Sequence, residues 1–171
     1  KYPKLRGKPL LALGMGGGCV IAASYEAKAK GVKTGMRVIE ARKLCRGAYE
    51  MPSDFEETAV ASKQIASILG EQCPVMEKMS VDEWFLDLKS IQGGLPDNLF
   101  WWAERVQKDI LKRVGLSVSA GIAQSKLLAK MASEYHKPAG VTVVHKGNLE
   151  SFLKDRPAAA IPGIGKRRSL H

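Results

Sequence analysis

The sequence has few cysteines and no long apolar run, and these two shortages exclude several classes of protein. Cys19, Cys45 and Cys73 stand far apart among 171 residues and form no C-x-x-C pair. Disulfide frameworks and zinc sites use closely spaced, paired cysteines, so neither is predicted. Apolar runs are far shorter than the roughly 20 residues that cross a bilayer, and no leader pattern is visible. We expect a cytoplasmic protein without membrane association.

Acidic residues are scarce relative to basic ones. The chain has 27 lysines and arginines against 17 aspartates and glutamates, which gives a formal net charge of +10 at pH 7. This surplus favours a polyanionic partner through counterion release and electrostatic steering. The sequence starts at Lys1 without a methionine and stops as a new motif opens at Ile161. We therefore interpret it as a fragment of a longer polypeptide.

Two adjacent carboxylates, Asp82 and Glu83, stand within the apolar, strand-like run Ser80–Leu88. Burial would make both charges costly, so the pattern predicts a bound cation. Consecutive strand side chains leave opposite faces, and both can reach one ion only at a bend such as a hairpin tip. Oxygen ligands of this kind suit a hard divalent metal. The alternative is an ordinary solvated turn, because Asp-Glu is a common dipeptide.

The hydrophobic patterns predict an α+β fold. The order around the two carboxylates is hairpin, helix, strand, helix, strand, which favours a ferredoxin-like sheet with helices on one face. The stretch from about Cys19 to Ile68 is mostly helical and reads as an insertion. The predicted elements are strands at 8–13, 116–122 and 141–144, and helices from the capping box Ser53–Glu56 to Gly70, from a cap at Asp97 to Val114, and at 126–135.

A separate signal stands near the C-terminal end, in Ile161-Pro162-Gly163-Ile164-Gly165-Lys166. A hydrophobic-Pro-Gly-hydrophobic-Gly turn can present backbone N–H groups to a phosphate, as helix-hairpin-helix DNA binders do. Gly163, Gly165 and Lys166 are therefore candidate DNA-binding residues. A plain glycine-rich connector is the alternative.

Four stretches together resemble the Y-family of DNA polymerases, the translesion enzymes that copy across damaged template bases. The resemblance covers nearly the whole chain. It implies a palm at 1–18 and 73–154, small and mainly helical fingers at 19–72, and the start of a helical thumb with a helix-hairpin-helix motif at 155–171. The stretches are 23–28 with 31–36, 40–45, Ser80–Glu83 with Phe85–Asp87, and 115–123 running into 126–130 and Lys137-Pro138.

The resemblance also implies roles for individual residues. Asp82 and Glu83 are the expected catalytic, metal-binding carboxylates, with two Mg²⁺ ions in the complete site. Tyr25 and Lys28 match fingers positions that contact the incoming deoxynucleoside triphosphate, and Lys137 matches a palm lysine that reaches the same phosphates. The expected partners are primer–template DNA, deoxynucleoside triphosphates and a sliding clamp reached through regions beyond this chain. The full enzyme is expected to extend a primer 3′-end across damaged template.

Two departures and three alternatives accompany this interpretation. The family's first carboxylate and its aromatic steric gate would both precede Lys1, so the chain alone is expected to be inactive. Ala22 stands where the family often has a hydroxyl that helps to hold the triphosphate. The alternatives are a catalytically silent, polymerase-like accessory subunit, a cyclic-nucleotide-forming enzyme on a similar palm, and a plain helix-hairpin-helix DNA-binding module. The last of these leaves Asp82 and Glu83 unexplained.

Overall fold

A computed structural model describes residues 2–154 and 156–164. The chain folds as two units, which meet in sequence between Glu57 and Thr58. Each unit has a hydrophobic cluster of its own. In the described part of the chain, no helix has both the length and the apolar character needed to cross a membrane.

Unit 1 is built on a three-stranded sheet in the order β2-β1-β3, in which β1 is antiparallel to β2 and parallel to β3. Two short helices stand between β2 and β3 in sequence. Side chains from the sheet, the helices and their loops form one buried cluster, which includes Leu11, Val20, Val38 and Cys45. The elements are β1 (Leu10–Leu13), β2 (Val20–Ala23), α1 (Tyr25–Ala29), α2 (Val38–Leu44) and β3 (Tyr49–Pro52), after a 3-10 turn at Pro3–Leu5.

Among its described residues, unit 2 combines four helices with two separate pairs of strands. Strands β4 and β5 form an antiparallel hairpin, whereas β6 and β7 are parallel and joined through α5 as a βαβ unit. The elements are α3 (Phe55–Gln72), β4 (Met76–Lys78), β5 (Trp84–Leu86), α4 (Leu99–Val114), β6 (Ala120–Ile122), α5 (Lys126–Tyr135), β7 (Val141–Val143) and α6 (Leu149–Lys154), with 3-10 turns at Leu88–Ser90 and Ala158–Ala160.

The core of unit 2 lies where α3 meets α4. Five side chains are buried there, and Trp84 and Trp102 are among the half-buried residues packed against them. Apolar positions three and four apart on each helix produce this contact, because they fall on one face. Trp101, by contrast, is 63% exposed. The buried residues are Ile65, Ile68 and Leu69 of α3 and Val106 and Ile110 of α4.

Gly121 allows β6 to lie directly against α5. A Cβ atom at this position would overlap the carbonyl oxygen of Ala129 and the amide nitrogen of Ser133, and would lie 2.8 Å from the carbonyl carbon of Ala132. Only a residue without a side chain fits this close approach of strand and helix backbones. The depth at which α5 packs is therefore fixed by the glycine.

The predicted α+β class is confirmed, with differences in detail. The single ferredoxin-like sheet is observed as two strand pairs, because β5 and β6 share no ladder among the described residues. Asp54, not Ser53, caps α3 by accepting from the Glu57 amide at 3.0 Å, and the helix continues through Gly70. Isolated glycines are tolerated inside a helix at a cost near 1 kcal/mol, which the packed face of α3 outweighs.

The N-terminal cap of helix α4 lies one residue later than predicted. The side chain of Asn98, not Asp97, accepts from the Trp101 amide at 3.0 Å. The predicted end is confirmed, because Gly115 adopts a left-handed φ of +77° and closes the helix. Helix α5 has the predicted bounds. The predicted strand at 116–122 is shorter, covering Ala120–Ile122 alone.

The two units have different boundaries from the predicted domains. Strand β1, from the first predicted palm segment, pairs with β2 and β3 in unit 1. Helix α3, from the predicted fingers, supplies three of the five buried residues in the unit 2 cluster. Its sequence shows an amphipathic helix but not the partner on which that helix packs.

Candidate active site

Asp82 and Glu83 lie at the tip of the hairpin that joins β4 to β5. The carbonyl oxygen of Glu83 accepts hydrogen bonds from the amides of Met79 at 2.9 Å and Ser80 at 3.2 Å, which closes a tight turn. The bend that two adjacent carboxylates require, if both are to face one ligand, is therefore present. The prediction of a hairpin tip at this position is confirmed.

The expectation that burial makes this pair costly is wrong for Asp82, which is exposed. The hydroxyl of Ser80 donates to Asp82 Oδ1 at 2.8 Å, a local contact typical of polar turns. Glu83 is half-buried and is ion-paired with Lys130 of α5. The apolar run starts only at Trp84, after the turn, and so the carboxylates project from the strand pair.

A row of alternating charges joins Glu83 to Lys137 through two residues of α5. We call the four residues the α5 ladder: Glu83, Lys130, Glu134 and Lys137. Lys130 contacts Glu83 and places its Nζ 2.9 Å from Glu134 Oε1. Glu134 Oε1 in turn lies 2.7 Å from Lys137 Nζ. Lys130 and Glu134 are four residues apart on α5, so the helix itself sets their spacing. The structure thus brings two predicted site residues into one network.

Opposing effects act on the two central groups of the ladder. Partial burial alone would lower the pKa of Lys130, but its hydrogen bonds to Glu83 and Glu134 outweigh burial and raise that pKa. Burial alone would raise the pKa of Glu134, but hydrogen bonds from Lys137 and Lys130 lower it. Lys130 and Glu134 are consequently both charged at neutral pH, and each stabilises the charge of the other.

Sequence reasoning did not identify Lys130 and Glu134 as site residues. A signal was available, because opposite charges four apart on one helix predict an ion pair. What the sequence could not show is that this face of α5, which continues into the Lys137 turn, lies beside the hairpin tip. That juxtaposition depends on packing between elements distant in sequence.

The other two predicted nucleotide-binding residues lie together in unit 1. Ser24 caps α1 by accepting from the Ala27 amide at 3.3 Å, and its hydroxyl oxygen also accepts from the Leu10 amide at 3.1 Å. This anchors the helix start to β1. Lys28 then places its Nζ 5.2 Å from the ring centroid of the exposed Tyr25, within the range of a cation–π contact. An exposed phenol and an ammonium thus share one surface.

The hairpin tip offers a divalent metal suitable atoms but an incomplete set. Carboxylate oxygens are the ligands that Mg²⁺ prefers, and Mg²⁺ commonly uses one or two of them together with water and substrate phosphates. Among the residues that the structure describes, no three histidine, cysteine, aspartate or glutamate side chains are grouped closely enough to hold a metal. Asp82 and Glu83 therefore fit a site that a substrate helps to complete.

The predicted DNA-binding segment is only partly described. Ile161–Ile164 forms a turn in which the Ile164 amide donates to the Ile161 carbonyl at 3.0 Å, and Gly163 has a φ of +88°. Gly165 and Lys166 lie outside the described residues. The helix-hairpin-helix motif therefore stays a prediction.

A surface groove of about 810 Å³ lies elsewhere in unit 2, between the end of α3, the loop before α4 and the first turns of α4. Trp101, Leu95 and Arg105 are among its lining residues. Neither hairpin carboxylate nor Lys137 contributes to it. The candidate metal-binding carboxylates and Lys137 therefore lie outside this groove.

Comparison with known proteins identifies the family. The model of the impB/mucB/samB family matches residues 1–134, and the chain belongs to that family. DNA polymerase IV of Staphylococcus aureus strain bovine RF122 / ET3-1 is 38% identical over 167 residues, which cover 96% of this chain and 50% of the relative. The same enzyme of strain JH9 is also 38% identical, with 46% of the relative covered. The chain thus spans about half the length of these curated relatives.

Solved structures agree with this assignment. The crystal structure of DinB from Sulfolobus solfataricus matches with a TM-score of 0.90 and 31% identity, over 98% of this chain and 50% of that one. An insertion ternary complex of Dbh DNA polymerase matches with a TM-score of 0.84 and 30% identity, over 96% and 49%. A Y-family DNA polymerase chimera of Dbh and Dpo4 also matches, at 0.86 and 31% over 95% and 49%. The predicted resemblance to Y-family DNA polymerases is confirmed.

Proposed function

We propose that this chain is the palm, the fingers and the beginning of the thumb of a DNA-templated DNA polymerase that performs translesion synthesis. The observation that carries the proposal is the Asp82–Glu83 pair at the hairpin tip, whose Glu83 shares a charge network with Lys137 in a chain of this family. The whole protein would add deoxynucleotides to a primer 3′-end across damaged template. The predicted domains, with palm at 1–18 and 73–154, are part of this proposal.

Each candidate residue has a distinct role in this proposal. Asp82 and Glu83 hold Mg²⁺ at the hairpin tip, and the bound ions supply charge neutralisation and activation of the primer hydroxyl. Lys137 binds the triphosphate as a point charge, for which a flexible ammonium is suited. Tyr25 and Lys28 of the proposed fingers bind an incoming deoxynucleoside triphosphate. Lys130 keeps Glu83 in place before a metal arrives.

The proposed partners follow from charge and from the relatives. A net charge of +10 favours binding to primer–template DNA through counterion release. Gly163, Gly165 and Lys166 are proposed to hold a DNA phosphate at the beginning of the thumb. A sliding clamp is proposed to bind regions beyond this chain, and the enzyme is proposed to act in the cytoplasm on the nucleoid.

A second candidate is a catalytically silent, polymerase-like accessory subunit in DNA damage tolerance. The observation in its favour is the ion pair of Glu83 with Lys130, because this lysine already neutralises one of the two carboxylates. The two candidates differ in whether a metal ion displaces the lysine. Metal-dependent nucleotide binding therefore separates them.

Isothermal titration of a deoxynucleoside triphosphate into the chain, with and without Mg²⁺, tests the site. Polymerase function predicts metal-dependent binding that Asp82→Ala and Lys28→Ala both weaken. Asp97→Ala is the matched control, since it removes an exposed carboxylate of unit 2 outside the site. Circular dichroism verifies the folding of each variant. Nucleotide binding that does not depend on Mg²⁺, or an affinity that Asp82→Ala leaves unchanged, would contradict the assignment.

Catalysis itself requires the complete palm. A longer chain that includes the segment upstream of Lys1 should extend a primer across an abasic template position, and Asp82→Ala should abolish this extension. If the longer chain binds primer–template DNA but leaves the primer unextended, the silent accessory subunit is the correct function.

A further inference from the structure

Gln107 of α4 donates hydrogen bonds from one side-chain nitrogen to three backbone carbonyl oxygens. Its Nε2 lies 2.8 Å from the oxygen of Val118, 3.1 Å from that of Gly140 and 3.3 Å from that of Ala139. An amide NH₂ carries two hydrogens, so the three acceptors share them. Val118 lies shortly before β6, and the other two residues lie directly before β7. One side chain thus holds the entries of both strands.

The segment before β7 needs such support, because its backbone is not in a relaxed conformation. Ala139 has a φ of +58°, in the left-handed region that residues with a Cβ atom rarely adopt. Gly140 is packed so closely that a Cβ atom would overlap the carbonyl oxygen of His136 and lie 2.9 Å from its carbonyl carbon. Backbone of this kind persists where its surroundings hold it in place.

Lys137 is in the same turn, directly after His136 and two residues before Ala139. The Nζ of Lys137 donates a hydrogen bond to Glu134 Oε1 at 2.7 Å. Its backbone is held by the turn, whose last carbonyl, that of Gly140, accepts from both the Ala120 amide at 2.9 Å and Gln107. Removing the Gln107 donor would leave the Ala139 carbonyl without this hydrogen bond and the Gly140 carbonyl with only the strand partner.

We propose that Gln107 is a positioning residue for Lys137: by holding the carbonyls of Ala139 and Gly140, it fixes the turn that presents the lysine to a triphosphate. This inference rests on the proposed function of Lys137. The role requires an N–H donor at position 107. A glutamate of the same shape offers only acceptors and repels the carbonyls, whereas a lysine again offers donors.

Three variants test the inference. Gln107→Glu removes the donor at constant size, Gln107→Lys restores a donor, and Lys108→Gln is a control at the neighbouring, exposed position of α4. We expect Gln107→Glu to speed amide hydrogen exchange in residues 139–141 and to weaken Mg²⁺-dependent binding of dATP by about tenfold, the scale of one lost hydrogen bond to a partly buried carbonyl. Gln107→Lys should recover most of both effects, and Lys108→Gln should change neither.

Lys137→Ala, alone and combined with Gln107→Glu, shows whether Gln107 acts through the lysine. If it does, the double variant binds dATP no more weakly than Lys137→Ala. Wild-type affinity in Gln107→Glu, or an equal additional loss in the double variant, overturns the inference and leaves the proposed function standing. If the wild-type chain does not bind dATP, or if Lys137→Ala binds it normally, the proposed phosphate role fails and the inference fails with it.

Discussion

Lys130 and Glu83 form an ion pair that joins the middle of α5 to the tip of the β4–β5 hairpin. A metal ion that binds Glu83 must compete with the lysine ammonium for the same carboxylate. Glu134 offers Lys130 another partner at 2.9 Å. The balance between these two carboxylates therefore governs how easily Lys130 releases Glu83.

We predict that Lys130→Met raises the affinity of the site for Mn²⁺, used as a paramagnetic probe, by about three- to tenfold. This range corresponds to roughly 1 kcal/mol, the scale of a partly exposed charge pair screened by solvent. Glu134→Gln should have the opposite effect, because Lys130 then has Glu83 as its remaining partner in the ladder. Electron paramagnetic resonance of free Mn²⁺ measures both affinities.

The double variant Lys130→Met/Glu134→Gln distinguishes competition from general electrostatics. If Glu134 acts through Lys130, its substitution has little effect once the lysine is gone. Additive changes would mean that Glu134 acts on the metal by charge alone, and Mn²⁺ affinity unchanged by Lys130→Met would contradict the competition.

The pair of Glu71 and Arg113 should make the stability of unit 2 depend on pH. The two terminal nitrogens of Arg113 donate to the two carboxylate oxygens of Glu71 at 2.6 and 2.7 Å, which joins the end of α3 to the end of α4. The hydrogen bonds from Arg113 hold the pKa of Glu71 below its usual value of about 4.5, against the opposing effect of desolvation. A depressed carboxylate pKa stabilises the fold above the unfolded pKa and loses this contribution as pH falls through the folded pKa.

Urea denaturation between pH 3 and pH 7 measures this contribution. The wild-type chain should be more stable than Glu71→Gln at pH 7, and the difference should shrink below about pH 4.5. Glu104→Gln is the control, because Glu104 makes one exposed contact of 3.3 Å with Lys108. A difference between wild type and Glu71→Gln that stays constant with pH would show that the charge of Glu71 is not responsible.

Gly121 and Gly70 form a matched pair for Gly→Ala substitution, with effects of opposite sign. Gly121→Ala forces β6 and α5 apart and should destabilise the protein by about 1–3 kcal/mol, as overpacking does. Gly70 lies inside α3 with open space around its Cβ position, so Gly70→Ala should stabilise by roughly 0.5–1 kcal/mol. Thermal and urea denaturation measure both, and a Gly121→Ala protein as stable as wild type would disprove the close approach.

Arg156 should contribute to the stability of the C-terminal part of unit 2. Its guanidinium carbon lies 4.2 Å from the ring centroid of Tyr135 and 4.1 Å from that of Phe152, and its Nε donates to the Phe152 carbonyl at 2.7 Å. We expect Arg156→Ala to cost about 1–2 kcal/mol, from two cation–π contacts and one hydrogen bond.

The control for Arg156 is Arg105→Ala, which loses one exposed hydrogen bond of 3.2 Å to Gln72 and should change stability by less than about 0.5 kcal/mol. Arg156→Lys should fall between wild type and Arg156→Ala, because an ammonium retains charge but not the planar stacking surface. If Arg156→Ala is as stable as Arg105→Ala, the ring contacts of Arg156 contribute nothing to stability.

Local signals in the sequence predicted much of the fold. The bounds of α5 and the end of α4 at Gly115 were both predictable, because capping and apolar periodicity act over a few residues. The predicted helix caps were wrong by one residue where two capping residues are adjacent, as at Ser53 and Asp54, because side-chain geometry decides between them. The separation of β5 from β6 was not predictable, because pairing of distant strands leaves no local mark.

The candidate site divides in the same way. The hairpin position of Asp82 and Glu83 followed from elementary strand geometry, and the family resemblance supplied Lys137. Lys130 and Gln107 were missed, because their contacts join α5 and α4 to turns elsewhere in the chain. Their partners are 47 residues away for Lys130 and Glu83, and 33 away for Gln107 and Gly140. Glu134 was missed although its contacts with Lys130 and Lys137 are local in sequence.

Helix α5 carries the two central residues of the ladder, and it also rests on Gly121 through the backbone of Ala129. Lys130 directly follows Ala129, so the contact of α5 with Gly121 also determines where the Lys130 side chain starts. Any shift of α5 away from β6 carries Lys130 and Glu134 along the same vector. Gly121, which has no side chain, thus sets the position of the two α5 residues that contact Glu83 at the hairpin and Lys137 in its turn.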